Sequence, residues 1–387
     1  MRNKRYWLII SFSVLTLFIY GSSESEKSLA EIYKTGKVRF IQELVISEES
    51  LPEGKFFNRI LSPATDKNGC VYVCDIDANN IKKFNVMGKY VKTIGKEGQG
   101  PGDFNSPLDI EVVQDRLVVW ESMNMRISIL SLDGDFIKSI PYNSTQLGWP
   151  YEIKALSDEK MIFETQVSYR RGPSRPWECY LRLFSSDMEH LKDLYKKEYW
   201  MRKNITSPRR MSIPIPFSAR VYWDVTPKGN IVIGFSESYE IDIYDPLKGK
   251  ISSFTHKYEP VEVTKIDKEQ YFAGMTVTTM SGGTRETKQG APDYIVKNTE
   301  FPKYMPAFDN IKCDSEGNIW VHTFHKDRKE GSRSFDVFGE EGNFINRVRI
   351  EGDHYYPRAA KIRDRSFFLI ETDEDGYQKI VKYRISQ

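Results

Sequence analysis

From Phe57 onward, apolar residues fall in short alternating runs, each closed by a turn rich in Gly, Asp or Asn. Alternation with period two is the mark of strands, and Gly and Asn tolerate the tight turns between them. The clearest unit starts at Phe57, turns at Asp66-Lys67-Asn68-Gly69 and continues through Val71-Tyr72-Val73. It then passes Asp75 to Asn80, runs from Ile81 to Phe84, turns at Met87-Gly88-Lys89 and ends with Tyr90 to Ile94. A second copy from Phe104 repeats this, with Leu117 to Trp120, Arg126 to Ser131, a turn at Asp133-Gly134 and Phe136 to Ile140. A third starts at Trp149 and a fourth at Phe217, whose second run is Ile231-Val232-Ile233. The fifth carries Ile319-Trp320-Val321 and the last Phe367-Phe368-Leu369-Ile370.

Each unit is a four-stranded antiparallel sheet with two apolar faces, which cannot bury both alone and must stack on its neighbours. Closing such sheets into a ring leaves only short edges. The expected fold class is therefore all-β, a six-bladed β-propeller spanning 38–387, with blades at about 57–94, 104–140, 149–195, 217–256, 308–350 and 355–387. Val38 to Ile46 alternates like a strand ahead of the first unit and is expected to close the last blade. An insertion at 265–307 breaks the repeat: Lys265 to Phe272 reads as a short helix, and Ser281 to Pro292 as a flexible stretch. An excursion of that length between blades is usually functional or interfacial.

Between the first two units lies Ile94-Gly95-Lys96-Glu97-Gly98-Gln99-Gly100-Pro101-Gly102-Asp103-Phe104, followed by Pro107. Here the chain resembles the NHL-repeat six-bladed propellers, whose inter-blade loop reads G-x-x-G-x-G-P-G-x-F-x-x-P. The other junctions keep only an aromatic and a proline, as in Trp149-Pro150 and Tyr356-Pro357. The insertion is similar to a segment of bacterial exported six-bladed propellers of unassigned activity.

Composition adds limits. Lys and Arg number 56 against 54 Asp and Glu, a net charge of +2, which offers no field for recruiting nucleic acid. Met1-Arg2-Asn3-Lys4-Arg5, the apolar run Tyr6 to Tyr20 and the small residues Gly21 and Ser23 form an export signal over 1–23, with an uncleaved anchor as the alternative. No cysteine follows the run, so a lipoprotein signal is not supported. A linker is expected over 24–37, and a periplasmic or extracellular monomer thereafter. Cys70, Cys74, Cys179 and Cys313 are too few for a disulfide scaffold, and Cys70 and Cys74 lie roughly 13 Å apart along one strand face.

Candidate chemistry follows from strand order. The loops leading into each inner strand and those after each second strand share one face of the disc. That mouth should display Arg59, Asp75, Asp77, Glu121 and Trp149, with Tyr151, Arg220, His325, Arg358 and Glu371 around the rest of the ring. Resemblance to calcium-dependent hydrolases and lactonases of this build implies a Ca²⁺ site of converging oxygens, for which Asp75, Asp77 and Glu121, with Asn79 and Asn124, are the candidates. The plainer reading is that these residues satisfy turn backbone groups, because the equivalents near Gly234 and Thr323 in other blades are not acidic. His322 and His325, three apart on a strand, face opposite ways and do not share an ion without a bend. No nucleophile elbow or phosphate loop occurs. Tyr151, Tyr222, Trp223, Tyr355 and Tyr356 either stack on a ligand or pack between blades. The expected function is thus a non-catalytic module that recognises a small ligand or a protein partner at the mouth, without a cofactor. The alternative is a metal-assisted hydrolase or lyase with a cation in the channel.

Overall fold

In the computed structural model, which describes residues 27–156, 160–167, 176–205, 211–281, 284–324, 332–351, 361–363, 365–372 and 376–387, six four-stranded antiparallel sheets succeed one another. Blade 1 comprises Ile60–Thr65, Val71–Asp75, Asn80–Phe84 and Tyr90–Ile94, and blade 2 Pro107–Val113, Arg116–Glu121, Arg126–Ser131 and Phe136–Pro141. Blade 3 comprises Trp149–Ala155, Met161–Val167, Trp177–Phe184 and His190–Tyr199, and blade 4 Val221–Val225, Ile231–Phe235, Glu240–Asp245 and Gly249–Thr255. Blade 5 comprises Asn310–Cys313, Ile319–Thr323, Ser332–Phe338 and Phe344–Glu351. Blade 6 takes Lys361–Arg363, Ser366–Thr372 and Gln378–Ser386 from the C-terminal end, and Arg39–Ile46 completes it as the outermost strand. That closing strand runs antiparallel from Arg39 opposite Ser386 to Ile46 opposite Ile380, with a bulge between Gln42 and Leu44.

The period-two alternation distributes each second strand between two cores. Val71 and Val73 pack toward blade 6 with Ile46, Phe57 and Phe368, while Tyr72 and Cys74 pack toward blade 2 with Leu117 and Val119. Val118 and Trp120 turn the other way, onto Phe163 of blade 3. Ile162 then meets Ile231 and Ile233, Val232 meets Ile319 and Val321, and Trp320 meets Phe367 and Leu369. One cluster fills each interface between successive blades, including that between blades 6 and 1, so the ring closes on itself. Because every blade is sandwiched, second strands such as Val71–Asp75 are buried on both faces, whereas the outer strand Tyr90–Ile94 is mostly open to solvent.

Two segments differ from expectation. Residues 24–37 were expected as a linker, but Leu29–Lys34 forms helix α1, started by the capping box of Ser28 and Glu31. The spacing of Leu29, Ile32 and Tyr33 places all three on one buried face. Tyr33 meets Trp320 edge-on at 4.9 Å, and its hydroxyl donates to Asp314 at 2.7 Å, so the helix belongs to the interface of blades 5 and 6. A short helix α2, Ser144–Leu147, leads into blade 3. In the insertion the expected helix is present as α3, Lys265–Ala273, capped by Thr264. The stretch expected to be flexible instead carries a hairpin, Thr276–Ser281 with Thr284–Gln289, followed by α4, Asp293–Asn298. A further hairpin, Arg202–Ile205 with Met211–Pro214, joins blades 3 and 4. Ile213 packs there on Ile295 and Met275, giving the two excursions a small core of their own. The export segment 1–23 lies outside the described residues. No helix among the described residues is long and apolar enough to cross a membrane. The four cysteines form no disulfide.

Candidate functional site

The mouth is built by one repeated backbone contact. The N–H after the second strand donates to the carbonyl of the residue before the inner strand: Ile76 to Arg59 at 2.9 Å, Ser122 to Ser106 at 3.0 Å and Ser236 to Arg220 at 3.0 Å. Arg59, Ser106 and Arg220 are therefore structural equivalents, as are Asp75, Glu121 and Phe235.

Asp75 and Glu121, the strongest cation-site candidates, are fully buried and engaged by their own blades. Asp75 accepts from the N–H groups of Asn58 and Arg59, both at 3.1 Å, and pairs with Lys82 of the third strand. Glu121 accepts from the Asn105 N–H at 3.2 Å, the Asn124 amide at 2.7 Å, the Arg126 guanidinium at 2.9 Å and the Ser128 hydroxyl. Arg126 in turn donates to the carbonyls of Gln99, Gly100 and Asp103, so Glu121 indirectly holds the glycine-rich inter-blade loop. In that loop Gly95 has φ +74, and a Cβ there would stand 2.3 Å from the Phe104 ring, which is why the position takes glycine. Asn79 accepts from the Ser106 N–H at 2.6 Å, and Asp77 pairs with Arg59 at 2.9 Å. The carboxylates thus satisfy turn N–H groups and basic side chains of their own blades. Among the described residues no three His, Cys, Asp or Glu side chains are grouped to hold a metal ion.

Charges that sequence reasoning did not single out line the inner strands. Asp109 of blade 2 bonds to Ser62 of blade 1 and accepts from the Ile153 N–H of blade 3 at 2.8 Å. Lys154 of blade 3 donates to Asp224 of blade 4 at 2.7 Å, and Asp224 accepts from the Cys313 N–H of blade 5 at 2.8 Å. Glu152 lies 3.2 Å from Lys154 and 3.8 Å from Lys312 of blade 5. Lys154 also stands 4.5 Å over the Trp223 ring, whose N–H donates to Glu164 of blade 3. Burial alone would depress the Lys154 ammonium, but Asp224 and Glu152 outweigh it and hold it raised. Burial likewise works to raise Asp224, and Lys154 and Lys312 overcome this and keep its carboxyl below the usual range. These groups latch blades 1 to 5 across the channel. Their signal in the sequence is a charge inside an otherwise apolar inner strand, as in Trp149-Pro150-Tyr151-Glu152-Ile153-Lys154.

What remains open at the mouth is aromatic and cationic. On the inner strand of blade 3, Trp149 is 42% and Tyr151 48% exposed, and Trp149 leans edge-on against buried Trp120 at 5.8 Å. Arg59 is exposed with its partner Asp77, and Arg220 is half-buried. At the same end of blade 5, His322 Nδ1 bonds to the Asp309 carboxylate. Tyr222 and Trp223 pack in the cores on either side of blade 4, against Phe308 and Glu164 respectively. Glu371 accepts from the Tyr383 hydroxyl at 2.6 Å and pairs with Lys379 within blade 6. His325, Tyr355, Tyr356 and Arg358 lie outside the described residues.

Fold and mouth together define a six-bladed β-propeller. Residues 59–223 match the DUF5128 family model, described as a 6-bladed beta-propeller. A Bacteroides fragilis protein described as exported aligns at 12% identity over 91% of this chain and 95% of its own, with a TM-score of 0.51. A Bacteroides vulgatus member of the DUF4221 family aligns at 12% identity over 91% and 99% of the two chains, at 0.49. Virginiamycin B lyase of Staphylococcus aureus aligns at 11% identity over 90% and 99%, at 0.39. No curated protein matches the chain by sequence.

Proposed function

We propose that the chain is an exported, non-catalytic recognition module that holds a ligand or protein partner at the propeller mouth. The observation that carries this is the division of labour there: Asp75 and Glu121 are buried in their own blades, while Trp149 and Tyr151 stand exposed on blade 3, and Arg59 and Arg220 precede the inner strands of blades 1 and 4. Rigid aromatic faces backed by a packed sheet offer contact area at little entropic cost, the chemistry of binding surfaces. Export rests on the basic and apolar segment of Met1 to Ser23, and kinship with NHL-repeat propellers on the loop from Gly95 to Phe104. The reading is tested by screening the purified chain against glycan and peptide arrays, then repeating each hit with Trp149→Ala and Tyr151→Ala. Losing one stacked aromatic should weaken a true mouth ligand roughly tenfold. Hits that bind both variants as tightly as the parent would remove the mouth from the proposal.

A further inference from the structure

Blades 1 and 4 stand opposite each other in the ring and carry the same pair of residues at the mouth. Arg59 and Arg220 precede the inner strands, and an acid follows the second strand one position beyond the repeated backbone contact: Asp77 in blade 1, Glu237 in blade 4. In blade 1 the two form an ion pair at 2.9 Å. In blade 4 they do not: the Arg220 backbone N–H donates to the Ser236 hydroxyl, but its guanidinium makes no hydrogen bond or ion pair with any described residue.

The insertion occupies the space around it. Phe217, three residues before Arg220, lies 5.8 Å from the ring of Tyr271 on α3 and 6.0 Å from Phe301. Tyr271, Phe272 and Phe301 meet edge-on at 5.4 to 5.6 Å, and Lys268, one turn earlier on α3, stands 5.6 Å over Phe301. The acids of α3 are taken: Asp267 by the Thr264 cap, and Glu269 by Lys265 at 3.6 Å. Burial pushes the Tyr271 phenol up, and the charges of Arg220 and Arg202 pull it back. The junction of α3 with blade 4 therefore gathers aromatic rings within electrostatic reach of the Arg220 guanidinium.

We infer that this junction binds the oxyanion of an organic acid, with the Arg220 guanidinium and Tyr271 hydroxyl on the anionic group and Phe217 and Phe301 against the carbon skeleton. A guanidinium meets a carboxylate or phosphate through two parallel N–H donors, and the neighbouring rings exclude water from that contact. The blade 1 counterpart is occupied by its own carboxylate, Asp77. The inference refines the mouth reading by naming the chemical class of its ligand.

The test is saturation-transfer NMR and calorimetric titration with benzoate, phenyl phosphate and neutral benzamide as probes. Benzoate or phenyl phosphate should bind the parent chain and benzamide should not, and the better anion of the two identifies the headgroup. Arg220→Ala should weaken the anion roughly tenfold or more, and Tyr271→Phe less. Arg220→Lys, which keeps the charge but loses the fork, should recover part of the affinity, with thermal midpoints confirming that every variant is folded. Equal binding of benzamide, no binding of either anion, or unchanged affinity in Arg220→Ala would each overturn the inference. Such a failure is distinct from failure of the mouth reading, because array hits lost in Trp149→Ala would stand without Arg220.

Discussion

Replacing Lys154 by Met removes the central cation of the channel latch while keeping the length of the stem that packs on Trp223. Both Lys154 and Asp224 are largely buried, with side-chain exposures of 8% and 14%, so solvent screens the pair little. After the substitution Asp224 keeps the N–H groups of Cys313 and Val225, each at 2.8 Å, but loses its closest cation. Stranding one partner of a buried pair costs about 3–5 kcal/mol. The double variant Lys154→Met with Asp224→Asn removes both charges of the pair, leaves Glu152 beside Lys312 and keeps a carbonyl for the backbone, so it should recover most of the loss. A coupling energy of about 2 kcal/mol or more between the sites is expected. The assay is urea unfolding, followed by tryptophan fluorescence, for which Trp223 is a local reporter, and by far-ultraviolet circular dichroism. The pH dependence has a definite sign. Asp224 titrates below its unfolded value, so its contribution is fully present above the ordinary carboxylate range near 4 and is lost as pH falls through the folded value. In Lys154→Met the same carboxyl should shift upward, and the gap from the parent should narrow on acidification. A single variant within 1 kcal/mol of the parent at pH 7, or a double variant no better than the single, would refute the assignment of the latch.

Three further outcomes follow from the same structure. Gly95→Ala places a Cβ against Phe104 at positive φ and should cost about 2–4 kcal/mol, read as a fall in the urea midpoint. Tyr33→Ala empties the site between α1 and Trp320 and should cost about 3–5 kcal/mol, whereas Tyr33→Phe, losing only the bond to Asp314, should cost about 1–2. Burial pushes the Cys313 thiol well up, and Cys74 and Cys179 are buried too, so a thiol reagent at neutral pH should modify only half-buried Cys70 before urea exposes the rest.

The candidate site was legible only in part. Arg59, Asp77, Tyr151 and Arg220 are found at the mouth because strand order alone decides which loops share a face. Asp75 and Glu121 sit at the same height yet face inward, because third-strand residues Lys82, Arg126 and Ser128 claim them, and that pairing crosses strands. The contrast between paired Arg59 and Arg220 was invisible in the chain, since each is followed by an acid just past the second strand of its blade, Asp77 and Glu237.

Six alternating units, an apolar strand ahead of the first and glycine-bearing turns follow from local chemistry: a strand with two apolar faces must be sandwiched, and only a ring sandwiches every blade. That much the linear order of residues determined by itself. Tertiary structure decided the rest, because it depends on neighbours distant in the chain. α1 became part of a core because Trp320 and Asp314, nearly three hundred residues on, supply its apolar and polar partners. The channel closed on Lys154 and Asp224, and α3 settled beside Arg220, because burial makes unpaired charge and bare apolar surface costly wherever the ring brings them together.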